Sequence, residues 1–420
     1  MSPFYSFSSR VACLIRGYIL LSLLFALFAV PSPASAQIRG VFAAATQEIP
    51  DPIPPCITTG YAVDATLDIP LQGDTPVVNV GAVDTSRRAD RVGYILTRNN
   101  TNSTEVWVYI YNAVTMVVTR SFRLQDFGQL DYGVQRLVAV LNNELYLVRN
   151  INGGRLGCGI GRVCASLTKI TPSGTVIPGL TIDLVALSFG GFDDFVVLSD
   201  GTAMLGFSDG SNRRLMNINA VGFGPPLTGF AGQVVFAYRE DGTPLFYAGS
   251  LNGTTIKSFL PGDTTPLDSD VYSYTLSNTS SAFTTVLSRN LLLGMSTSFA
   301  GSAANIAYKD LAMDNVRATE SYPFSTDGSA SRGGTYWDNI NNVLHSLRID
   351  AGSGAPSIIR SSIQPLSIQQ RFSCAFCDSS LFRNFNFVQP TLRFYVNGTS
   401  AASVGRVTRI KVCATGGPPA

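Results

Sequence analysis

The feature that most constrains the fold is a run of short apolar segments separated by turn dipeptides, clearest in Phe195–Asn219 (FVVLSDGTAMLGFSDGSNRRLMNIN). Asp200-Gly201 and Asp209-Gly210 each follow an apolar segment. Asp-Gly suits a two-residue hairpin because both central positions of a type I′ turn require a positive φ. The stretch therefore predicts an antiparallel meander of three short strands.

Degraded copies of this hairpin recur along the chain, about 48 residues apart, within the roughly 40–50-residue period of propeller blades. Their central turns are Asn100, Asn142-Asn143, Asp200-Gly201, Asp241-Gly242, Arg289-Asn290 and Asn341-Asn342. No long stretch keeps a 3.6-residue apolar period with helix caps. The sequence thus predicts an all-β chain, a β-propeller of six or seven four-stranded blades, with seven favoured. An array of two-sheet sandwiches is the alternative, but a sandwich domain needs more residues than one repeat supplies.

Two further strand–turn–strand patterns remain at the ends, Tyr61–Val80 and Thr391–Val412. Because ring closure removes exposed sheet edges, we expect N-terminal and C-terminal strands to share one blade and close the ring. The apolar strands that lead each hairpin, such as Val138–Leu141 and Val234–Ala237, have few polar alternations. We expect them to be buried on both faces.

The stretch Gly333–Asp350 (GGTYWDNINNVLHSLRID) resembles the blade units of NHL-type and YVTN-type β-propellers. Those units combine a small residue, an aromatic or apolar strand, an Asn/Asp turn and a second apolar strand. The resemblance extends from about Tyr94 to Ile368. It implies the propeller architecture and no particular family, so no family activity carries over.

Residues 1–36 have the pattern of a secretory signal peptide: a basic start, an apolar run at 17–30 and the small-residue triplet ASA at 34–36. The apolar run is shorter than the about 20 residues needed to cross a bilayer, which favours cleavage over a retained anchor. The expected organisation is a signal peptide (1–36), a Pro-rich leader (37–55), a single propeller domain (56–413) and a disordered tail (414–420). The mature chain is predicted to be secreted and to have no membrane span.

The charge balance argues against a nucleic-acid partner. Removal of residues 1–36 takes two arginines from the 30 basic residues, and the remainder balances the 28 acidic residues. A chain without excess positive charge lacks the basic face that neutralises phosphates. The expected partner is an extracellular protein or glycan.

Six cysteines follow the signal peptide, and an even number in an exported chain predicts disulfides. They are Cys56, Cys158, Cys164, Cys374, Cys377 and Cys413. We expect Cys158 to bond to Cys164 in a local loop, and Cys56 to bond to one of the three C-terminal cysteines. A redox CxxC at 374–377 and a zinc site are alternatives, but the first lacks a surrounding βαβ pattern and oxidation during export favours disulfides.

Five Asn-X-Ser/Thr sequons are predicted as glycosylation sites in turns or loop tips. Their acceptors are Asn99, Asn102, Asn252, Asn278 and Asn397. A chain rich in Thr and Asn also produces sequons by chance.

The sequence predicts no catalytic residue, no cofactor and no metal site. His345 is the single histidine and lies in the apolar run VLHSLRI, which predicts a packed or edge-exposed strand residue. The alternative function is a propeller enzyme, a carboxylate-based hydrolase or lactonase with a central acidic or ion site. Its candidate carboxylates are Asp193 with Asp194, Asp268 with Asp270, and Asp126 with Asp131.

The favoured function is therefore a secreted binding or adhesion module that recognises its partner through loops on one face of the ring. Binding faces use aromatic and arginine anchors. The candidate anchors are Arg155, Arg162 and Phe223, with Phe230 nearby in sequence.

We expect the exported protein to begin at Gln37, because the ASA triplet supplies a cleavage site. N-terminal sequencing of protein recovered from the medium of expressing cells checks this. A chain that still begins at Met1 would contradict the prediction.

Overall fold

The strands are seen in a computed structural model of the chain, in which the described residues fall between Gly60 and Cys413. They are residues 60–73, 75–84, 89–99, 106–124, 138–152, 158–160, 163–183, 191–197, 201–208, 213–218, 222–223, 234–238, 244–249, 255–259, 268–271, 282–286, 291–297, 303–310, 316–323, 335–338, 341, 343–349, 356–363, 366–373, 385–388 and 391–413. The predicted signal peptide, leader and tail lie outside them. Within this part of the chain, no helix is long and apolar enough to cross a membrane.

The described residues contain 28 β-strands, which form seven four-stranded antiparallel sheets. In chain order the strands are β1 (Gly60–Pro70), β2 (Pro76–Val83), β3 (Val92–Asn99), β4 (Val106–Asn112), β5 (Val117–Leu124), β6 (Val138–Leu141), β7 (Glu144–Asn152), β8 (Val163–Ile170), β9 (Val176–Asp183), β10 (Gly191–Val197), β11 (Ala203–Ser208), β12 (Arg213–Asn217), β13 (Gly222–Phe223), β14 (Val234–Tyr238), β15 (Pro244–Gly249), β16 (Thr255–Phe259), β17 (Asp268–Val271), β18 (Ala282–Val286), β19 (Leu291–Thr297), β20 (Ala303–Asp310), β21 (Val316–Pro323), β22 (Thr335–Asp338), β23 (Val343–Ile349), β24 (Pro356–Ile363), β25 (Leu366–Ser373), β26 (Phe385–Val388), β27 (Arg393–Ala401) and β28 (Val404–Cys413).

Six of these sheets are meanders of four consecutive strands, from β2–β5 to β22–β25. The first strands of successive sheets contact one another, from β2 with β6 through to β18 with β22. Four-stranded meanders stacked through their first strands are the blades of a β-propeller. The predicted fold class is confirmed, and the described residues form seven blades.

The seventh sheet combines both ends of the strand order as β1-β28-β27-β26, and is called the mixed sheet below. β1 pairs with β28 along its length, from Gly60 opposite Cys413 to Pro70 opposite Val404. The mixed sheet contacts β2 through β26 and β27, and contacts β25 through β1. The prediction that strands from the two ends share one blade is confirmed.

Apolar residues alternate between the two faces of a blade, as β7 illustrates. Leu145 and Leu147 pack in the core shared with the β2–β5 sheet, whereas Tyr146 and Val148 pack in the core shared with the β10–β13 sheet. Because successive side chains of a strand point to opposite faces, a strand between two blades needs apolar residues at consecutive positions. This explains why strict polar alternation is missing from the sequence.

The leading strand β6 (Val138–Leu141) is less buried than predicted. Both of its faces pack against neighbouring cores, but all four residues are only half-buried. β6 is the edge of its sheet and pairs with β7 alone, so its other backbone edge is not covered by a strand. The side chains of Val234–Ala237 lie outside the described residues.

Five of the six predicted turns join the first and second strands of a blade, and Asn142 and Asn143 have the positive φ of 53° and 62° that a type I′ turn requires. Asn100 instead lies between β3 and β4, the second and third strands of its blade. The predicted position of this turn is wrong by one strand, because the Asn-rich stretch after β3 resembles the other turns in sequence. The true first hairpin lies between β2 and β3, and its connection contains no Asn-Gly or Asn-Asn pair.

The prediction that the Asn397 sequon lies in a turn or loop tip is wrong. The residue pairs with Val407 in the middle of β27, and its side chain is only 1% exposed. It packs against Gly81 of β2, where a Cβ would lie 2.2 Å from the Asn397 Nδ2 atom. Asn397-Gly398 resembles a hairpin turn in sequence, but the turn comes later, and the folded chain buries the acceptor amide.

We expect Gly81→Ala to lower the free energy of unfolding by about 1–3 kcal/mol, because the new methyl group overlaps Asn397 at the contact between two blades. Urea unfolding measures this cost. The double variant Gly81→Ala/Asn397→Ala should cost less than the sum of the two single changes, since the second change removes the two nearest overlapping atoms, Nδ2 and Cγ, and leaves only Cβ at 2.7 Å. Strict additivity would contradict the packing described.

Candidate functional site

His345 lies in a buried hydrogen-bond chain between the mixed sheet and the β22–β25 sheet. Its Nδ1 atom is 2.5 Å from the hydroxyl of Tyr61 on β1. Its Nε2 atom is 3.1 Å from Oδ2 of Asp338, at the end of β22. His345 and Asp338 are both 0% exposed, and Tyr61 is 5% exposed. The packed alternative predicted for His345 is confirmed.

The hydrogen-bond directions follow from the chemistry of the three groups. A carboxylate only accepts, so Nε2–H of His345 donates to Asp338. In a neutral imidazole the other nitrogen is then an acceptor, and the Tyr61 hydroxyl donates to it. Burial raises the pKa of Tyr61 far above its ordinary range, which keeps this donor protonated.

The turn after β22 fixes the position of the carboxylate. Asn341 donates its backbone N–H to Oδ1 of Asp338 over 3.0 Å and its side-chain Nδ2 to Oδ2 over 2.6 Å. An Asp that accepts from the turn that follows it is a common turn signal. Burial alone would raise the pKa of Asp338, but the hydrogen bonds from His345 and Asn341 hold it below its usual value.

The imidazole is surrounded by aromatic rings. The ring centroid of His345 lies 5.1 Å from that of Phe394 and 5.4 Å from that of Phe387, while Phe372 lies 5.6 Å from Tyr61. Burial lowers the pKa of His345 below 6.5, against the opposing effect of Asp338. A Tyr–His–Asp chain has the donor order of an acid–base site, but sealed in this way it connects two blades and does not face a substrate.

A second feature is the loop between β7 and β8, which the disulfide between Cys158 and Cys164 closes. The two Cα atoms are 5.9 Å apart, and this predicted pairing is confirmed. Both cysteines are buried, whereas Ile160 between them is 94% exposed. We call residues 158–164 the stapled loop. It lies at the end of its blade opposite the Asn142-Asn143 turn, because β7 runs from one to the other.

Most of the predicted loop anchors are outside the described residues. Arg155 precedes the stapled loop in sequence and Arg162 lies within it, but both are outside the described residues, as is Phe230. Phe223 is not in a loop: it belongs to β13, the outer strand of its blade, and pairs with Met216. The Gly- and Pro-rich sequence of residues 222–229 predicts a loop. Its first two residues instead form β13 and extend the meander.

The remaining cysteines and sequons are only partly described. Cys413 is disulfide-bonded to a cysteine outside the described residues, which include none of Cys56, Cys374 and Cys377. Asn99 is the last residue of β3. The acceptors Asn102, Asn252 and Asn278 also lie outside the described residues.

The candidate carboxylates of the enzyme alternative are not brought together by described contacts. Asp193 and Asp194 lie on β10 where the register shifts, and Asp268 and Asp270 lie on the outer strand β17. Their side chains, together with Asp126 and Asp131, are outside the described residues. Within the part of the chain that is described, no three His, Cys, Asp or Glu residues form a group that could hold a metal ion.

Sequence reasoning found His345 but not its partners. Asp338 has a local signal, since an Asp three residues before Asn341 in WDNINN fits a side-chain-capped turn. Tyr61 is separated from His345 by 284 residues. No local pattern identifies a contact of that kind, because it depends on the mixed sheet.

No family model matches the chain, and no curated protein matches it. Among solved structures, the chain is similar to the Dos1 propeller, with 10% identity, a TM-score of 0.45, and coverage of 77% of this chain and 76% of that one. It is also similar to a KlHsv2 variant with loop 6CD replaced by a Gly-Ser linker, with 13% identity, a TM-score of 0.43, and coverage of 70% of this chain and 85% of that one. The chain is a β-propeller, and the arrangement of its own sheets carries that conclusion.

We expect the stability of the folded chain to fall as the pH drops below about 6.5. Folding lowers the pKa of His345, so the unfolded chain binds its proton at a higher pH and protons favour unfolding. The slope is at most about 1.4 kcal/mol per pH unit for one group. Urea unfolding at pH 7.5, 6.5 and 5.5 measures it.

The control is His345→Gln, which removes the only histidine of the chain. This variant should be less stable at pH 7.5 but should lose the pH dependence between 7.5 and 5.5. Equal slopes for both proteins would show that another group is responsible.

Proposed function

We propose that this protein is an exported propeller that binds an extracellular protein through the stapled loop. The observation that carries the proposal is Ile160, which is 94% exposed at a position held by a disulfide. Burying an isoleucine side chain contributes about 1.5–3 kcal/mol relative to leaving it in water. A partner with an apolar pocket would gain that free energy on binding.

The disulfide supports a binding role because it restricts the loop before the partner arrives. Both sulfur-bearing side chains are buried in the blade, so the loop is held at each end. A loop already held in one conformation loses less entropy on binding. An aliphatic anchor favours a protein over a glycan, since sugar faces are recognised mainly through hydrogen bonds and aromatic stacking.

Export is supported by the same bond and by the predicted signal peptide. Disulfides form and persist in oxidising compartments, and Cys413 is bonded as well as Cys158 and Cys164. The side chains of the candidate carboxylates of the enzyme alternative lie outside the described residues, so that alternative stays a prediction.

We expect Ile160→Ser to weaken binding to the partner about 10-fold or more, since it removes the apolar anchor. The measurement is binding of the secreted protein to an array of purified extracellular proteins, followed by titration against each positive. The matched control is Val117→Thr, another exposed aliphatic side chain, 55% exposed, at the start of β5.

A glycan array is measured in parallel with the same proteins. Binding that survives Ile160→Ser unchanged would exclude the stapled loop as the recognition site. Binding to glycans alone would overturn the protein-partner proposal. Turnover of a sugar or lactone that is abolished by changing Asp193 or Asp194 would favour the enzyme alternative.

A further inference from the structure

Arg360 is a buried charge with unused hydrogen-bond donors. It lies on β24 of the β22–β25 sheet and is only 3% exposed. Its Nε and Nη1 atoms are buried and have no hydrogen-bond partner among the described residues. An ionised group removed from water without compensation costs several kcal/mol, so buried charges are normally paired.

The strand register places Arg360 at the contact with the mixed sheet. It pairs with His345 on β23 and with Gln370 on β25. Residues directly opposite each other in a sheet project to the same face, and His345 contacts Tyr61 of the mixed sheet from that face. Burial raises the pKa of Tyr61 and lowers that of His345; the positive charge of Arg360 opposes the first effect and adds to the second. Arg360 therefore lies beside the buried chain.

The carboxylate at this contact belongs to Asp338, and residues other than Arg360 donate hydrogen bonds to it. Asp338 accepts hydrogen bonds from His345 and from both donors of Asn341. The described ion pairs of the buried and half-buried groups do not include Arg360. No described ion pair therefore joins Arg360 to a carboxylate.

Two arginines on the opposite side of the mixed sheet have described hydrogen-bond acceptors. Nε of Arg393 lies 3.0 Å and Nε of Arg409 lies 2.8 Å from Oδ2 of Asp64. Nη1 of Arg409 also donates to the carbonyl oxygens of Ala113 at 3.0 Å and Val114 at 2.6 Å. Nε of both Arg393 and Arg409 therefore has a described acceptor, in contrast to Nε and Nη1 of Arg360.

We propose that Arg360 is the centre of a binding site for a small oxyanion taken from solution. A guanidinium supplies rigid N–H donors that match carboxylate, sulfate and phosphate oxygens. Gln370 is the Cα partner of Arg360 on β25, and its side-chain amide packs against Gly60 of β1. The aromatic rings around His345 exclude water, which strengthens the charge interaction. The ligand class is a small carboxylic acid or an inorganic oxyanion.

The test is thermal unfolding of the secreted protein in sodium sulfate, potassium phosphate or sodium citrate, each compared with sodium chloride at equal ionic strength. We expect a saturable rise of the unfolding midpoint at millimolar concentrations for at least one oxyanion. Isothermal titration should give one site for the same anion. Absence of a saturable response to all three anions would overturn the proposal.

Variants separate a site from a general salt effect, because sulfate and phosphate stabilise most folded proteins through exclusion from the surface. Arg360→Met should weaken anion binding roughly 10-fold or more, as expected for loss of charged hydrogen bonds. Arg360→Lys keeps the charge with a different donor geometry and serves if the first variant does not fold. Arg406→Met is the control, since it removes an arginine that is 37% exposed and pairs with Asp68.

Two outcomes distinguish a ligand from solution and an acidic side chain of this protein. Glu48 and Asp51 precede β1 in sequence. If Glu48→Gln/Asp51→Asn lowers stability as much as Arg360→Met and added anions have no effect, the counter-charge is internal and the proposal is wrong. Crystals of the wild-type protein soaked in selenate give a direct readout, with anomalous density at Arg360 expected and density only elsewhere contradicting the site.

Discussion

The pairing of β1 with β28 is the constraint on which the rest of the structure depends. It brings Gly60 opposite Cys413 and makes one blade from the two ends of the strand order. The other six blades are local meanders whose strands follow one another directly. The mixed sheet alone requires strands that are far apart in sequence, and its contacts with β2 through β26 and β27, and with β25 through β1, are long-range contacts as well.

The mixed sheet carries buried polar contacts on both flanks, and β1 contributes to each. On one flank Asp64 orients Arg393 and Arg409, and Arg409 reaches carbonyl oxygens of the turn before β5. On the other flank Tyr61 donates to His345, which donates to Asp338. Apolar packing between blades tolerates sliding, whereas hydrogen bonds between buried groups require one relative position. These polar contacts therefore fix how the mixed sheet is placed against its neighbours.

Much of the fold could be predicted because its blades are local. Turn dipeptides with a positive φ, such as Asn142-Asn143, identify hairpins without knowledge of the rest of the chain. The predictions of turn positions are wrong where the same dipeptide fits both a turn and another position in the blade. The Asn-rich stretch after β3 and Asn397-Gly398 both read as first-hairpin or loop-tip turns, but the pairing of β27 with β28 extends through Asn397. The partners of His345 and the location of Arg360 depend on contacts between sheets, which sequence periodicity does not encode.

The mixed sheet also determines the order in which the protein can finish folding. Chains emerge from the N-terminus at about 5–20 residues per second, so β1 is made first and its partner β28 last. For a time on the order of tens of seconds β1 has no strand to pair with, while six meanders can each form from their own residues. An unpaired strand edge is a template for association with other chains. The charged residues of β1 are acidic and those of β28 are basic, with Asp68 opposite Arg406. This charge complementarity favours pairing of β1 with β28 over pairing with another chain.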